Sequence, residues 1–171
     1  MSLQIDHTFD DETYRHTING HQFVLHCHHY MSLTTKLAED FSDIGGVKVL
    51  TEATEDSFRP IFDSYFSDHS VSDPEQRLAL GAEYYTFMGL GAMEVGGSAA
   101  GGNATLNHSH VDEGWLKKFG KHDKPINHVT CGFLAALFAA AFDKSPRSYT
   151  VTEKSSIVTG ASESALTIEA S

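Results

Sequence analysis

Residues 107–120 read NHSHVDEGWLKKFG, residues 121–142 read KHDKPINHVTCGFLAALFAAAF, and residues 143–171 read DKSPRSYTVTEKSSIVTGASESALTIEAS. Within them the block from Cys131 to Phe142 is apolar all round. A helix with no polar stripe offers nothing to water, so it belongs inside the molecule. It is too short to cross a bilayer, which takes about 20 apolar residues. Strands and helices have to wrap it, and the rest of the chain has to supply them.

On its C-terminal side, KSPRS is a turn and Tyr149-x-Val151-x-Glu153 alternates as a strand. TGASES is a tight turn, and residues 165–169 close a hairpin with Leu166 and Ile168 on one face. On its N-terminal side, Ser109 or Asp112 can start a short helix bearing Trp115, Leu116 and Phe119. Before that, LGAMEVGG reads as a short strand, GGSAAGG as a flexible turn and NATLNHSH as the returning strand. Asp73 can cap a helix, with Pro74 in its first turn and Glu75 favoured by the helix dipole. That helix carries Leu78, Tyr84, Tyr85, Phe87 and Met88. Phe58, Ile61, Phe62 and Tyr65 share a face of an earlier helix, in which Pro60 predicts a kink or a restart. Tyr30, Leu33, Leu37, Phe41 and Ile44 recur at helical spacing, and Gly45-Gly46 ends the run. Asn19-Gly20 between two β-prone runs predicts a hairpin, because both residues accept positive φ. Phe23 and Leu25 share one face of its second strand, and His26 lies on the other with Val24 and Gln22.

Residues 1–12 read as a flexible tail and 13–171 as a single domain. The order is hairpin, helices, hairpin, two helices, hairpin. It predicts an α+β fold: an antiparallel sheet packed on a helical layer.

Composition narrows function. The chain has 171 residues, 40% hydrophobic and 20% charged, with a formal net charge of −11. That acidity argues against nucleic acid and against anionic membrane as partners. Two cysteines among 171 residues make no disulfide framework. The acidic N-terminus has no apolar core of a signal peptide, so the expected compartment is the cytoplasm. P-loop, dinucleotide-binding and zinc-protease motifs are not found.

The order Trp115 helix, Cys131-Gly-Phe helix, strand, Glu153-x-x-Ser156, Gly160 turn, Ser164 and final strand resembles the 4-vinyl reductase domain family, over roughly residues 109–168. The family's fold is similar to that of TRAPP vesicle-tethering subunits and of phenol- and xylene-responsive sensor domains. The resemblance implies a dimeric α/β domain that holds an apolar or aromatic molecule. It also implies a zinc site at Cys131, Glu153, Ser156 and Ser164. Two of those four positions are serine here, and a neutral hydroxyl is a poor zinc ligand beside a thiolate. The family's zinc site is therefore lost in this chain or rebuilt from other ligands.

The other candidate ligands are histidines, of which there are eleven. His26 and His28 flank Cys27 at strand spacing, and His108 and His110 repeat that spacing. If the two segments met they could hold zinc or another transition metal. Otherwise they are strand-end histidines in contact with water or backbone. Glu153 shares a face with Tyr149 and Val151, so it either looks into a pocket or that face is the wet one. Tyr84, Tyr85, Met88, Trp115, Phe133 and Phe138 can line an apolar pocket with Glu153, or simply fill the core.

Two functions remain open. The favoured one is a stand-alone homodimeric domain that binds or senses a small apolar or aromatic molecule, with a protein partner for any signalling. The other is a metal- or histidine-assisted hydrolase or reductase on a small cyclic substrate.

Overall fold

The computed structural model describes residues 2–171. Strands β1 (His7–Asp10), β2 (Arg15–Ile18) and β3 (His21–Phe23) form a three-stranded antiparallel sheet. Helices α1 (His28–Asp40), α2 (Gly46–Asp68) and α3 (Pro74–Phe87) follow. Next come β4 (Gly91–Ser98), β5 (Gly101–Ser109), α4 (His110–Phe119), α5 (His128–Ala141), β6 (Tyr149–Ser155) and β7 (Ser164–Ala170). The last four strands make a second antiparallel sheet in the order β4-β5-β7-β6.

The architecture is α+β, as the order of hairpins and helices predicts. It differs in having two sheets, because the first hairpin pairs with β1 and does not join the larger sheet. Strand β1 lies within the stretch read as a flexible tail.

Helix α5 is the centre. Every residue from Val129 to Ala141 is buried. On one side lies the inner face of the four-stranded sheet, with Leu106, Leu166, Ile168 and Tyr149 buried. On another side α2 packs close. Gly132 makes that approach possible: a Cβ there would stand 2.3 Å from the carbonyl oxygen of Thr51. Phe133 meets the rings of Phe58, Phe62 and Tyr85 edge-on at 4.9, 5.2 and 5.0 Å between centroids, the arrangement aromatic quadrupoles favour. Phe138 packs on Tyr149 and Phe142.

Local signals decide the element ends. Asn19 and Gly20 take φ of 47° and 80°, turning β2 into β3. The Asp73 carboxylate accepts from the backbone N–H groups of Glu75 and Gln76, capping α3 with Pro74 in its first turn. Helix α2 runs unbroken through Pro60, which is exposed. The Gly-rich stretch 96–102 is mostly strand, since β4 and β5 pair down to Ser98 and Gly101.

Helix α1 is inverted relative to a usual surface helix. Its buried residues are Met31, Ser32, Thr35 and Ala38. The larger apolar stripe, Tyr30, Leu33, Leu37, Phe41 and Ile44, faces outward.

Candidate functional site

Two places gather the residues singled out by sequence: a buried polar cluster at the start of α5, and an apolar cavity beside the first sheet.

The polar cluster begins with strand alternation. Tyr149, Val151 and Glu153 face inward on β6, while Thr150, Thr152 and Lys154 are exposed. The Glu153 carboxylate accepts from Asn127 twice: from its backbone N–H at 3.1 Å and its side-chain amide at 2.7 Å. The same amide donates to Asp112 Oδ2 at 2.7 Å. Ser109 ends β5 and caps α4; its hydroxyl accepts from the Asp112 N–H at 3.1 Å and donates to Asn127 Oδ1 at 3.0 Å. That cap swings Asp112 into the interior. There its carboxylate also accepts from the Ser156 hydroxyl at 2.9 Å, the Val158 N–H at 3.0 Å and the Ser164 hydroxyl at 3.0 Å. Ser109, Asp112, Asn127, Ser156 and Ser164 are all buried. Four donors on one buried carboxylate satisfy its lone pairs without a cation.

Burial, partly offset by the Asn127 donors, raises the Glu153 pKa above its ordinary value, and the charge of Asp112 adds to the rise. Burial pushes the Cys131 thiol up to about 12, with Glu153 contributing. Cys131 borders a separate opening lined by Thr51, Glu55, Arg147, Tyr149 and Val151. So Glu153, Ser156 and Ser164 do come together, but their chemistry does not fit zinc in the family's manner. Both hydroxyls already donate to Asp112, Glu153 is held by Asn127, and the thiol is kept protonated. Asp112 and Asn127 are what sequence reading missed: Asp112 was weighed only as a helix start. The available signal was a polar residue, Asn127, placed directly before a helix with no polar face.

The histidines meet in part. His28 opens α1 and His110 opens α4, and His26 lies in the linker after β3. The His110 ring centroid is 6.0 Å from that of His26 and 5.7 Å from that of His28. His108 turns outward to Glu113 at 3.2 Å, because the chain passes from strand to helix between His108 and His110. Among the described residues, no three His, Cys, Asp or Glu side chains are placed to hold a metal ion. His110 Nε2 is buried without a hydrogen-bond partner. Burial and the neighbouring His26 and His28 lower its pKa, keeping the ring neutral.

The cavity is a pair of neighbouring hollows that share part of their walls. One, of about 310 Å³, is bounded by Ile18, Phe23, Leu25, Phe87, Met88 and His110. The other, of about 320 Å³, lies between α1 and α2 against Met31, Leu50, Phe58 and Val129. Phe23, Val24, His26, Met88 and Leu90 border both. Of the pocket residues expected from sequence, Met88 lines this space. Tyr85, Phe133 and Phe138 are packed into the core around α5, Trp115 is buried on α4, and Glu153 belongs to the polar cluster. Tyr84 borders a much smaller void of about 10 Å³ with Leu3 and Phe62. Tyr84 and Trp115 each keep a buried polar atom without a partner.

No protein-family model and no curated protein matches the chain. Its fold is similar to that of two solved structures. The crystal structure of the phenol-responsive sensory domain of the transcription activator PoxR with phenol superposes with a TM-score of 0.79 at 13% identity, over 96% of this chain and 84% of that one. A trafficking protein particle complex subunit 3 from Naegleria fowleri, covalently bound to palmitic acid, superposes with a TM-score of 0.55 at 9% identity, over 84% of this chain and 95% of that one. These two folds are the kinds of relative the sequence resemblance implies. Among the described residues, no helix is long and apolar enough to cross a membrane.

Proposed function

We propose that this chain is a sensor domain of the 4-vinyl reductase type that binds a small, mostly apolar molecule with one polar group, such as a phenol. The ligand's ring would occupy the cavity between the first sheet, α1–α2 and the α3–β4 junction. The observation that carries this reading is the pairing of an apolar wall (Phe23, Met88, Leu90) with a neutral His110 whose Nε2 is unpartnered. Apolar burial would supply the affinity, roughly 25 cal/mol per Å² before ordering costs. One polar contact from His26 or His110 would orient the ring. The likeness to a phenol-bound sensor supports the reading at the level of fold. The domain would act as a homodimer and signal through a protein partner. Its two free cysteines suit a reducing cytoplasm.

Isothermal titration with phenol and, separately, with palmitic acid tests this. Saturable phenol binding is expected, weakened in His110→Ala and lost in Met88→Trp, which fills the space. Palmitate binding without phenol binding would move the reading to an acyl chain, and binding of neither would overturn it.

A further inference from the structure

The walls of the 310 Å³ hollow come from two parts of the chain. His7, Ile18 and Phe23 of the first sheet, with Val24, Leu25 and His26 after it, form one side; Phe87 to Leu90 and His110 form the other. The second side is stitched down. The His110 N–H bonds the Leu90 carbonyl at 2.9 Å, and the Leu90 N–H bonds the Tyr85 carbonyl of α3 at 3.2 Å. The first side is not. Within β1–β3 only Ile18 is buried, and these strands share no ladder with β4–β7. Asn19 fastens the segment before β1 to the sheet. Its backbone N–H bonds the Asp6 carbonyl at 2.9 Å, its side-chain oxygen accepts from the Asp6 N–H at 2.8 Å, and its amide donates to the Gln4 carbonyl at 3.1 Å. Among the described residues, two hydrogen bonds then join this unit to the helices. The Leu3 N–H donates to the Glu83 carboxylate of α3 at 2.7 Å, and the Gln4 N–H to the Tyr65 hydroxyl of α2 at 2.8 Å. At its other end the unit runs into residues 24–27, which are neither strand nor helix, with Val24 and Leu25 84% and 77% exposed. A segment with few buried side chains and few tertiary hydrogen bonds opens at a lower free energy than the core.

We infer that residues 2–23 form a flap over this hollow, hinged at residues 24–27 and latched at Leu3 and Gln4, and that its opening admits and releases the ligand. The inference rests on the ligand reading above and adds how the site is entered. A hinge needs a few loop residues free to change φ and ψ, and residues 24–27 are such a stretch. A latch needs contacts that break without unfolding the rest. The Leu3 and Gln4 hydrogen bonds fit, because Glu83 is exposed on α3 and the Tyr65 hydroxyl is an end group on α2. Closing the flap sets Ile18 and Phe23 against the ligand, so burial of the ligand's apolar surface favours the closed state over the open one.

Tyr65→Phe combined with Glu83→Ala removes both latch acceptors, and neither residue borders either hollow. Fluorine NMR line shapes of 4-fluorophenol give its association rate, dissociation rate and affinity together. Both rates should rise on the order of tenfold, as loss of two hydrogen bonds raises the open fraction. Affinity should change by less than about threefold, because the closed state still dominates. Amide hydrogen exchange supplies a second measurement. In the double variant the β2 and β3 amides should exchange faster and those of α5 at the wild-type rate, and 4-fluorophenol should slow β2 and β3. Weaker affinity with an unchanged association rate makes the sheet a fixed wall and overturns the flap. Unchanged rates overturn it too, as does exchange that accelerates equally in α5; each of these leaves the ligand reading standing. No binding of 4-fluorophenol by wild type overturns both.

Discussion

The side-chain nitrogen of Asn127 lies 2.7 Å from Oδ2 of Asp112, in the closed space between α4 and the start of α5. The same amide donates to Glu153, so one residue ties two carboxylates to the first turn of the central helix. Its position at the helix start, together with Ser109, joins β5, α4, α5, β6 and β7 through one polar knot.

Truncating Asn127 leaves two largely buried carboxylates short of donors. Asn127→Ala should therefore cost about 3 kcal/mol, and Asp112→Ala, which strands four donors, about 3–5 kcal/mol. Urea unfolding monitored by circular dichroism measures both. A loss below about 0.5 kcal/mol in each would mean the knot contributes nothing net.

The raised pKa of Glu153 has a pH signature. Its ordinary value is 4.5 and the folded value is higher, so the fold favours the protonated acid. Its contribution is complete below the ordinary value and is lost as pH rises through the folded one. Compared with Glu153→Gln, wild type should lose relative stability as pH rises from the ordinary value of 4.5 through the higher folded one. Melting temperatures of the two proteins across that range check it; parallel curves would contradict the raised pKa.

Metal removal should leave the interior intact. Ser156 and Ser164 give their hydroxyl protons to Asp112, so EDTA is expected to leave the unfolding midpoint unchanged. A midpoint lowered by EDTA and restored by zinc would contradict that. Should the restoring ion act at His26, His28 and His110, His110→Ala abolishes the effect; should it act at the α5 knot, Cys131→Ser does.

Gly132 lets α2 and α5 approach closely. A methyl there would press on the Thr51 carbonyl oxygen, which is backbone and cannot rotate away. Gly132→Ala should cost about 1–3 kcal/mol despite the better helix propensity of alanine, as read by denaturant midpoint. An unchanged or stabilised protein would show that α2 can slide.

Much of the architecture was legible from residue pattern alone. Asn19-Gly20, Asp73-Pro74 and the unbroken apolar run of α5 each act over a few neighbouring residues, and each behaves as its local chemistry dictates. Glu153 was legible too, because a strand's period of two places it with Tyr149 and Val151 whatever the partner strands are. The pocket was harder to read. Met88 and Phe133 are both large apolar residues on helices, and only packing places one at a hollow and the other among three rings.

The sequence by itself determined the α+β class, the buried helix, and hydroxyls rather than thiols at Ser156 and Ser164, since these depend on residue type and short-range spacing. Only the tertiary structure decided that those serines close on Asp112 and Asn127, that His110 meets His26 and His28 while His108 leaves, and that the greasier side of α1 faces out. Each of those outcomes depends on how separate elements dock, and no local period encodes the direction from which a distant segment arrives.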